Sequence, residues 1–163
     1  MKKVVLLFLG ILFLSLGCTR DDICTPETSK TPLLIIKFFN AENPEAPKSV
    51  NAFTVFRPQD EFSLFAPVTA DSIALPLDTS VDFTEYFFIS NANDSIPLAD
   101  FITFTYDRKD EFINRACAFR TNFTNLDFTI ENPTQQSWID EIILETDSVN
   151  ARNQNEAHLS IFH

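Results

Sequence analysis

The stretch Asp71-Ser72-Ile73-Ala74-Leu75-Pro76-Leu77 decides the fold class, because large apolar residues alternate in it with small or polar ones. A period of two is typical of a β-strand with one buried face, which Ile73, Leu75 and Leu77 would form. Pro76 has no N–H group to donate to a neighbouring strand. The strand is therefore predicted to lie at the edge of a sheet or to end at this proline.

Runs of similar character, rich in β-branched and aromatic residues, recur on both sides of this stretch. Segment 138–145 also fits a helical period, but its β-branched isoleucines favour a strand. Turns rich in Asn, Asp and Pro separate the runs, notably at 40–48, 91–95 and 108–110. The predicted strands are 33–39, 51–57, 62–65, 71–77, 84–90, 101–107, 111–120, 126–130, 138–145 and 157–163.

About nine or ten short strands without a long helix predict an all-β fold. The spacing of the turns indicates an antiparallel two-sheet β-sandwich, immunoglobulin-like or similar. Phenylalanine accounts for 18 residues, of which Phe8 and Phe13 precede Cys18, so 16 belong to the part of the chain that follows. Most of these 16 are expected to fill the space between the two sheets.

The N-terminus has the features of an export signal. Two lysines precede an apolar run of 13 residues, 4 to 16, which is shorter than the roughly 20 residues that a membrane-spanning helix needs. Ser15-Leu16-Gly17-Cys18 resembles the bacterial lipobox, in which the cysteine is acylated and becomes the first residue. The leucine that is usual three places before the cysteine stands four places before it, at Leu14. Lipidation of Cys18 is predicted, and the alternative is a secreted protein cut near Gly17.

The four residues after Cys18, Thr19-Arg20-Asp21-Asp22, place a basic residue before two acids. This arrangement resembles the surface-export signal of Bacteroidota lipoproteins, and it predicts an outer-membrane protein that faces the cell surface. The alternative is a solvated charged tether on a protein that faces the periplasm. The predicted organisation is a signal peptide at 1–17, a lipidated tether at 18–32 and a β-sandwich domain at 33–163.

Composition excludes several classes of function. Removal of residues 1–17 leaves 146 residues with 10 basic and 23 acidic side chains, a net charge of −13. Such a surface repels phosphate backbones, so no nucleic-acid partner is expected. The only two glycines, Gly10 and Gly17, lie in the signal. Glycine-rich phosphate loops, dinucleotide fingerprints and nucleophile elbows therefore cannot be present after it, and no cofactor is expected.

The chain has three cysteines. If Cys18 carries lipid, Cys24 and Cys117 remain as a pair in an oxidising compartment, where they are predicted to form a disulfide. The bond would close a loop of 93 residues and join the tether to the body of the domain, a closure worth about 4 to 5 kcal/mol in chain-entropy terms. The alternative is two free buried thiols.

Residues that could support catalysis or metal binding are few. His158 and His163 lie five residues apart and so on opposite faces of a strand, which argues against a shared metal site. Segment 91–95 offers alternating oxygen ligands but lacks the glycine and glutamate of an EF-hand, so a hairpin turn is preferred to a calcium site. Three acidic pairs could serve a glycoside hydrolase, although surface acids beside turns are the common explanation for such pairs. These pairs are Asp60-Glu61, Asp110-Glu111 and Asp140-Glu141.

Three triplets of the form Asp-Ser-aliphatic resemble the O-glycosylation motif of exported Bacteroidota proteins. Their serines are Ser72, Ser95 and Ser148. Ser95 and Ser148 fall in predicted loops and are better acceptors than Ser72, which falls in a predicted strand.

Taken together, several segments are similar to a family of Bacteroidota lipoproteins without an assigned function. These segments are Cys18 with Asp21-Asp22-Ile23-Cys24, Thr31 to Ile36, Asp71 to Leu77, Arg115-Ala116-Cys117 and Ala157 to His163. The resemblance covers nearly the whole chain after the signal, and it implies a lipoprotein with a paired Cys24 and Cys117. The resemblance brings no activity with it, because the family has none assigned.

The sequence therefore favours a non-enzymatic lipoprotein, held in the membrane through lipid on Cys18, that binds or scaffolds an envelope protein or glycan. One alternative is a lipocalin-like carrier of a small ligand, although the early Gly-x-Trp of lipocalins is absent and Trp138 is the sole tryptophan. A further alternative is a glycan hydrolase that uses paired carboxylates.

Overall fold

The computed structural model describes residues 24–25, 30–133 and 136–163. The predicted signal peptide, Cys18 and the export motif at 19–22 lie outside these residues. The chain divides into two compact units. Unit 1 comprises Met1–Lys30 and Phe112–Arg120, and unit 2 comprises Thr31–Glu111 and Thr121–His163.

Ten strands and no helix are found in the described residues, which confirms the predicted all-β class. The strands are β1 (Leu34–Asn40), β2 (Asn43–Pro47), β3 (Val50–Phe56), β4 (Val68–Ala70), β5 (Ser72–Leu75), β6 (Phe83–Ser90), β7 (Leu98–Asn114), β8 (Ala118–Glu131), β9 (Glu141–Leu144) and β10 (Leu159–Phe162).

One five-stranded sheet is built around the first and last strands of the chain. Its order is β2-β1-β10-β9, and β5 also pairs with β1. β1 and β10 run parallel, with Ile36 opposite Leu159 and Phe38 opposite Ile161. This pair departs from the predicted antiparallel arrangement, because two strands separated by most of the chain need no tight turn and can pair in either direction. β5 ends at Leu75, one residue before Pro76, as the missing N–H predicts.

The second five-stranded sheet has the order β4-β3-β6-β7-β8. β6 and β7 form an antiparallel hairpin whose pairing ends at Ser90 opposite Leu98, so segment 91–95 is the predicted hairpin loop. Alternate residues of β6 are buried, and the same holds for the first half of β7, from Asp100 to Tyr106. The two sheets pack as a β-sandwich and do not close into a barrel.

The core lies between the inner faces of the two sheets. Phe38 of β1 contacts Phe53 of β3 edge to face, with 5.2 Å between ring centroids, and Phe53 contacts Phe88 of β6 at 5.6 Å. Of the 16 phenylalanines after Cys18, six are buried, so the prediction that most of them fill the core is wrong. Several of the others pair on outer faces, as Phe87 and Phe101 do at 4.7 Å. The buried six are Phe38, Phe53, Phe88, Phe104, Phe123 and Phe162.

Four local predictions are wrong, and one of them is the continuous strand at 111–120, which a turn at 115–117 interrupts. Segment 62–65 is a loop, since Phe62 is 79% exposed and gains no burial from a strand. The predicted loop at 40–48 contains β2, an exposed strand paired only with β1, where prolines are tolerated. The predicted turn at 108–110 is absent. β7 continues through it to Asn114. The charged residues there are exposed, and the strand persists because its backbone pairs with β8.

Left-handed backbone conformations are needed in a chain that has no glycine after Gly17. Ala52 in β3 has φ of 43° and lies where the register between β3 and β4 shifts. Its carbonyl accepts the N–H of Ala92, and the neighbouring Asn51 carbonyl accepts the N–H of Asn91. For alanine this conformation costs about 1–2 kcal/mol. The hydrogen bonds to the 91–95 loop thus hold a strained residue in place.

We expect Ala52→Gly to raise the free energy of unfolding by about 0.5 kcal/mol, since relief of the left-handed strain exceeds the extra entropy of glycine in the unfolded chain. Urea unfolding measures the change. Ala74→Gly is the matched control, because Ala74 is an exposed residue of β5, and it should lose about 0.5–1 kcal/mol. Equal losses in both variants would contradict the strain at Ala52.

Candidate functional site

The end of the β7–β8 hairpin, residues 112–120, is the part of the molecule most directly tied to the N-terminal segment, and we refer to it as the hairpin tip. β7 ends at Asn114 and β8 begins at Ala118. The Asn114 side chain closes the turn, because its Oδ1 accepts the N–H groups of Ala116 at 2.9 Å and Cys117 at 2.7 Å. The turn therefore forms without glycine, and Ala118 takes the left-handed conformation with φ of 57°.

Cys24 and Cys117 lie at disulfide-bonding distance, as predicted. Their Cα atoms are 5.0 Å apart, within the range that disulfides occupy. Both residues belong to unit 1. Cys117 sits in the turn of the hairpin tip, and Cys24 follows Cys18 by six residues in the sequence. The pair therefore joins the N-terminal segment to the hairpin tip.

The hairpin tip also carries an exposed aromatic pair that sequence analysis did not single out. Phe112 is 57% exposed and Phe119 is 62% exposed, and their ring centroids are 5.2 Å apart. Between residues 112 and 120 there are two arginines, Arg115 and Arg120, and no acid. No linear pattern marks this pair, because residues 111–120 were predicted as one continuous strand and the contact requires the turn at 115–117.

His158 is buried and its ring is fully engaged. The Ile35 N–H donates to Nδ1 at 2.8 Å, and Nε2 lies 3.1 Å from Oδ1 of Asn153, which can only accept. The ring is therefore neutral, with its proton on Nε2. Burial lowers the pKa of His158, and the negative charge of Glu156 opposes this shift only in part. The backbone N–H of His158 also donates to the Ile35 carbonyl, so the residue fastens β10 to β1.

His163 lies beside a cavity of about 170 Å³ that Lys48, Ser90 and Trp138 also line. Its Nε2 donates to the Lys48 carbonyl at 3.2 Å, and its ring meets the Trp138 ring edge to face at 5.6 Å. The buried Ser90 Oγ has no hydrogen-bond partner. Burial lowers the pKa of His163. The two histidines have separate partners and do not form one site.

Asp100 is a buried carboxylate that organises the chain before β9. Its Oδ2 accepts the N–H groups of Trp138 at 3.2 Å and Ile139 at 3.3 Å. With its amide oriented to satisfy both neighbours, Asn132 donates to Oδ1 at 2.8 Å. Burial raises the pKa of Asp100, and the hydrogen bonds from Ser137, Trp138 and Ile139 counteract part of that rise. Sequence analysis passed over this residue because the N–H groups that its carboxylate accepts, at 138 and 139, are distant in sequence.

The three acidic pairs fall in different settings. Asp60 forms an ion pair with Arg57, whose Nε lies 2.7 Å from Oδ2. Asp110 accepts a hydrogen bond from Thr121 at 2.8 Å, and Glu111 accepts one from Asn122 at 2.9 Å. The pair Asp140-Glu141 lines an open cleft of about 300 Å³.

This cleft brings three carboxylates together, Glu131, Asp140 and Glu141, on a wall that also includes Phe128 and Ile142. All three acids are exposed to solvent. The general acid of a glycoside hydrolase needs an environment that keeps its carboxyl group protonated, usually by burial. Burial of that kind is not present around Glu131, Asp140 or Glu141.

The three serines proposed for O-glycosylation differ in accessibility. Ser95 is exposed in the β6–β7 loop, and Ser72 is exposed in β5. Ser148 is half-buried, and its Oγ lies 3.4 Å from Asn150 Nδ2 and from Thr146 Oγ1. On accessibility, Ser95 remains the best acceptor, and Ser72 ranks above Ser148. Their modification stays a prediction.

A family model described as a family of unknown function, DUF6452, matches residues 49–163. The chain belongs to this family. The match includes the hairpin tip with Cys117, the acidic cleft and both histidines. No curated protein and no solved structure matches the chain.

Two features are absent from the part of the chain that the structure describes. No group of three or more His, Cys, Asp or Glu side chains is arranged to hold a metal ion among residues 24–25, 30–133 and 136–163. Over the same residues, no helix has the length and apolar character that a membrane span requires.

We expect the neutral His158 to make stability depend on pH. Above its ordinary pKa of 6.5, folded and unfolded chains both hold it neutral and its contribution is complete. As the pH falls below 6.5, the unfolded chain takes up a proton that the folded chain refuses, so stability is lost. His158→Asn, which keeps an acceptor for the Ile35 N–H, should lower stability at neutral pH but flatten this dependence by up to about 1.4 kcal/mol per pH unit.

Urea unfolding of both proteins at about pH 7.5 and about pH 5.5 measures the difference. His163→Gln is the matched variant, because it removes the half-buried second histidine and leaves the His158 share of the pH dependence in place. An unchanged slope in His158→Asn would contradict the role assigned to the ring.

Proposed function

We propose that this protein is a lipid-anchored, non-enzymatic module of the outer membrane that faces the cell surface and binds or scaffolds another envelope component. In this proposal Cys18 carries the lipid, and residues 18–32 form the tether. The partner is an envelope protein or glycan, and nucleic acid is not bound.

The observation that carries the proposal is the bonding distance between Cys24 and Cys117. Disulfides persist in oxidising compartments and are rare in the cytosol, so this pair supports export. With Cys24 and Cys117 paired, Cys18 is left as the one cysteine of three without a partner. Its place directly after a 13-residue apolar run and Gly17 is the place at which lipoproteins are acylated. The pairing and the lipobox therefore point to the same location.

The state of the buried polar groups supports a binding rather than a catalytic role. A catalytic acid or base must be free to exchange a proton with a substrate. Both nitrogens of His158 are occupied by protein partners, and Asp100 holds the backbone of residues 138 and 139. These two groups hold neighbouring backbone segments through hydrogen bonds, as buried polar side chains in protein cores usually do.

The exposed surface supports recognition of a partner. Phe62 projects from the loop between β3 and β4 and is 79% exposed, and Ile96 in the β6–β7 loop is 81% exposed. Large aromatic and apolar side chains on loops are typical anchors of protein interfaces. A net charge of −13 after residue 17 keeps such a protein soluble when it is crowded on a surface.

Protease treatment of intact host cells tests the anchor and its orientation. We expect the wild-type protein to be digested on intact cells, since it faces outward, and Cys18→Ala to leave the membrane fraction. A variant with Asp21→Ala and Asp22→Ala is the matched control, because it keeps the lipid but loses the acidic part of the export motif. It should stay bound to membrane and become protected. Retention of Cys18→Ala in the membrane would contradict the lipid anchor.

The same cells test the binding part of the proposal when they are treated, before lysis, with a crosslinker that does not cross the membrane. We expect the wild-type protein to be recovered in a discrete crosslinked complex that Phe62→Ser weakens. Thr79→Ala, an exposed change in a different loop, should leave the complex intact. Recovery of uncrosslinked protein alone, in cells where the protein is digestible, would contradict a binding role.

A further inference from the structure

We propose that the hairpin tip is a second membrane contact, in which Phe112 and Phe119 rest at the boundary between lipid headgroups and acyl chains. The inference rests on the proposed anchor at Cys18 and extends it. It assigns a bilayer surface as the partner of residues 112–120. All the residues involved belong to unit 1.

The reach of the N-terminal segment places the hairpin tip near the bilayer. Cys24 follows Cys18 by six positions, and an extended chain over six residue steps spans at most about 20–22 Å. The Cα atom of Cys117 lies 5.0 Å from that of Cys24. A lipid on Cys18 therefore holds the turn of the hairpin within a few tens of ångströms of the membrane, whatever the orientation of the rest of the chain.

The chemistry of the hairpin tip matches that surface. Phe112 and Phe119 are both more than half exposed, and their ring centroids are 5.2 Å apart. Together they form one exposed apolar patch. An exposed apolar patch of this kind marks a contact with a partner or a membrane. Aromatic rings in such patches bury well at the interface of a bilayer.

The charges of the hairpin tip favour lipid headgroups. Arg115 is exposed and Arg120 is half-buried, and no acid lies between residues 112 and 120. The chain after residue 17 otherwise has more than twice as many acidic as basic side chains. An exposed arginine such as Arg115 can lay its apolar stem along a membrane interface and direct its guanidinium toward a phosphate. This short basic and aromatic stretch thus falls within reach of the lipid proposed on Cys18.

A second copy of the chain or another protein could also cover an exposed aromatic pair. The bilayer is favoured because the six-residue spacing supplies it to the hairpin tip at high effective concentration, whereas neither protein partner is brought there by anything in the chain. Both alternatives give distinct results in the test that follows.

Bilayer depth can be measured with tryptophan and brominated lipids. The chain from Cys18 to His163 is produced with Cys24 and Cys117 oxidised, so that Cys18 is the one thiol free to couple. It is coupled to maleimide headgroups on vesicles of phosphatidylethanolamine and phosphatidylglycerol whose acyl chains carry bromine, which quenches tryptophan only within the bilayer. Phe112→Trp reports on the hairpin tip, Phe62→Trp is the matched control, and the wild type gives the background of Trp138.

We expect Phe112→Trp to lose more fluorescence than the wild type on brominated vesicles and to shift its emission to shorter wavelength, while Phe62→Trp loses no more than the wild type. Replacement of Cys24 and Cys117 by serine in the Phe112→Trp chain should reduce the quenching, because the hairpin tip is released from the tether. Circular dichroism establishes that each variant is folded.

Equal quenching of Phe112→Trp, Phe62→Trp and wild type would overturn the proposal. So would a concentration-dependent dimer that Phe112→Ser abolishes in a chain whose position 112 is not quenched, since a second copy would then cover the aromatic pair. Because the vesicle coupling replaces the natural lipid, the result does not depend on acylation of Cys18 in cells. Failure of the anchor in the protease experiment can therefore be told apart from failure of this inference.

Discussion

The parallel pairing of β1 with β10 is the constraint on which the rest of the sandwich depends. It joins the first and last strands of the described fold, so Leu34, Ile36 and Phe38 can pack with Leu159 and Ile161 in one core. The two strands are far apart in sequence, because almost the whole domain lies between them, and their pairing closes a long loop. His158 fixes its register through two hydrogen bonds to the Ile35 backbone. His158 is consequently a structural residue, and its protonation would remove the acceptor for the Ile35 N–H at the centre of the sheet.

The architecture could largely be predicted from alternation, whereas the edges of the sheets could not. Segments such as 71–77 and 101–107 each bury one face, and a period of two reports that directly. β2 and the outer half of β7 are exposed, so burial leaves no pattern in their sequence, and only pairing with a neighbour makes them strands. The parallel direction of β1 and β10 is likewise a property of the assembled sheet, and neither strand alone contains a signal for it.

The candidate site was predictable where it depends on covalent chemistry and not where it depends on surface shape. Counting cysteines was enough to pair Cys24 with Cys117, which the structure brings to bonding distance. Nothing in a linear pattern shows that Phe112 and Phe119 meet, because their contact requires the turn to fall at 115–117. Asp100 was missed for a similar reason, since its partners at 138 and 139 are distant in sequence. The proposed export and the proposed membrane contact both rest on the same cysteine pair.

Peptide mapping of the unreduced protein, isolated from the envelope of its own cells, tests that dependence most directly. The account predicts one peptide in which Cys24 is linked to Cys117 and an N-terminal peptide that begins at Cys18 with the added mass of lipid. Free thiols at Cys24 and Cys117, or an unmodified Cys18 bonded to either of them, would contradict it. Free thiols would leave the hairpin tip without a covalent link to the tether, and either result would remove the Cys24–Cys117 pairing, which is the observation that carries the proposed function.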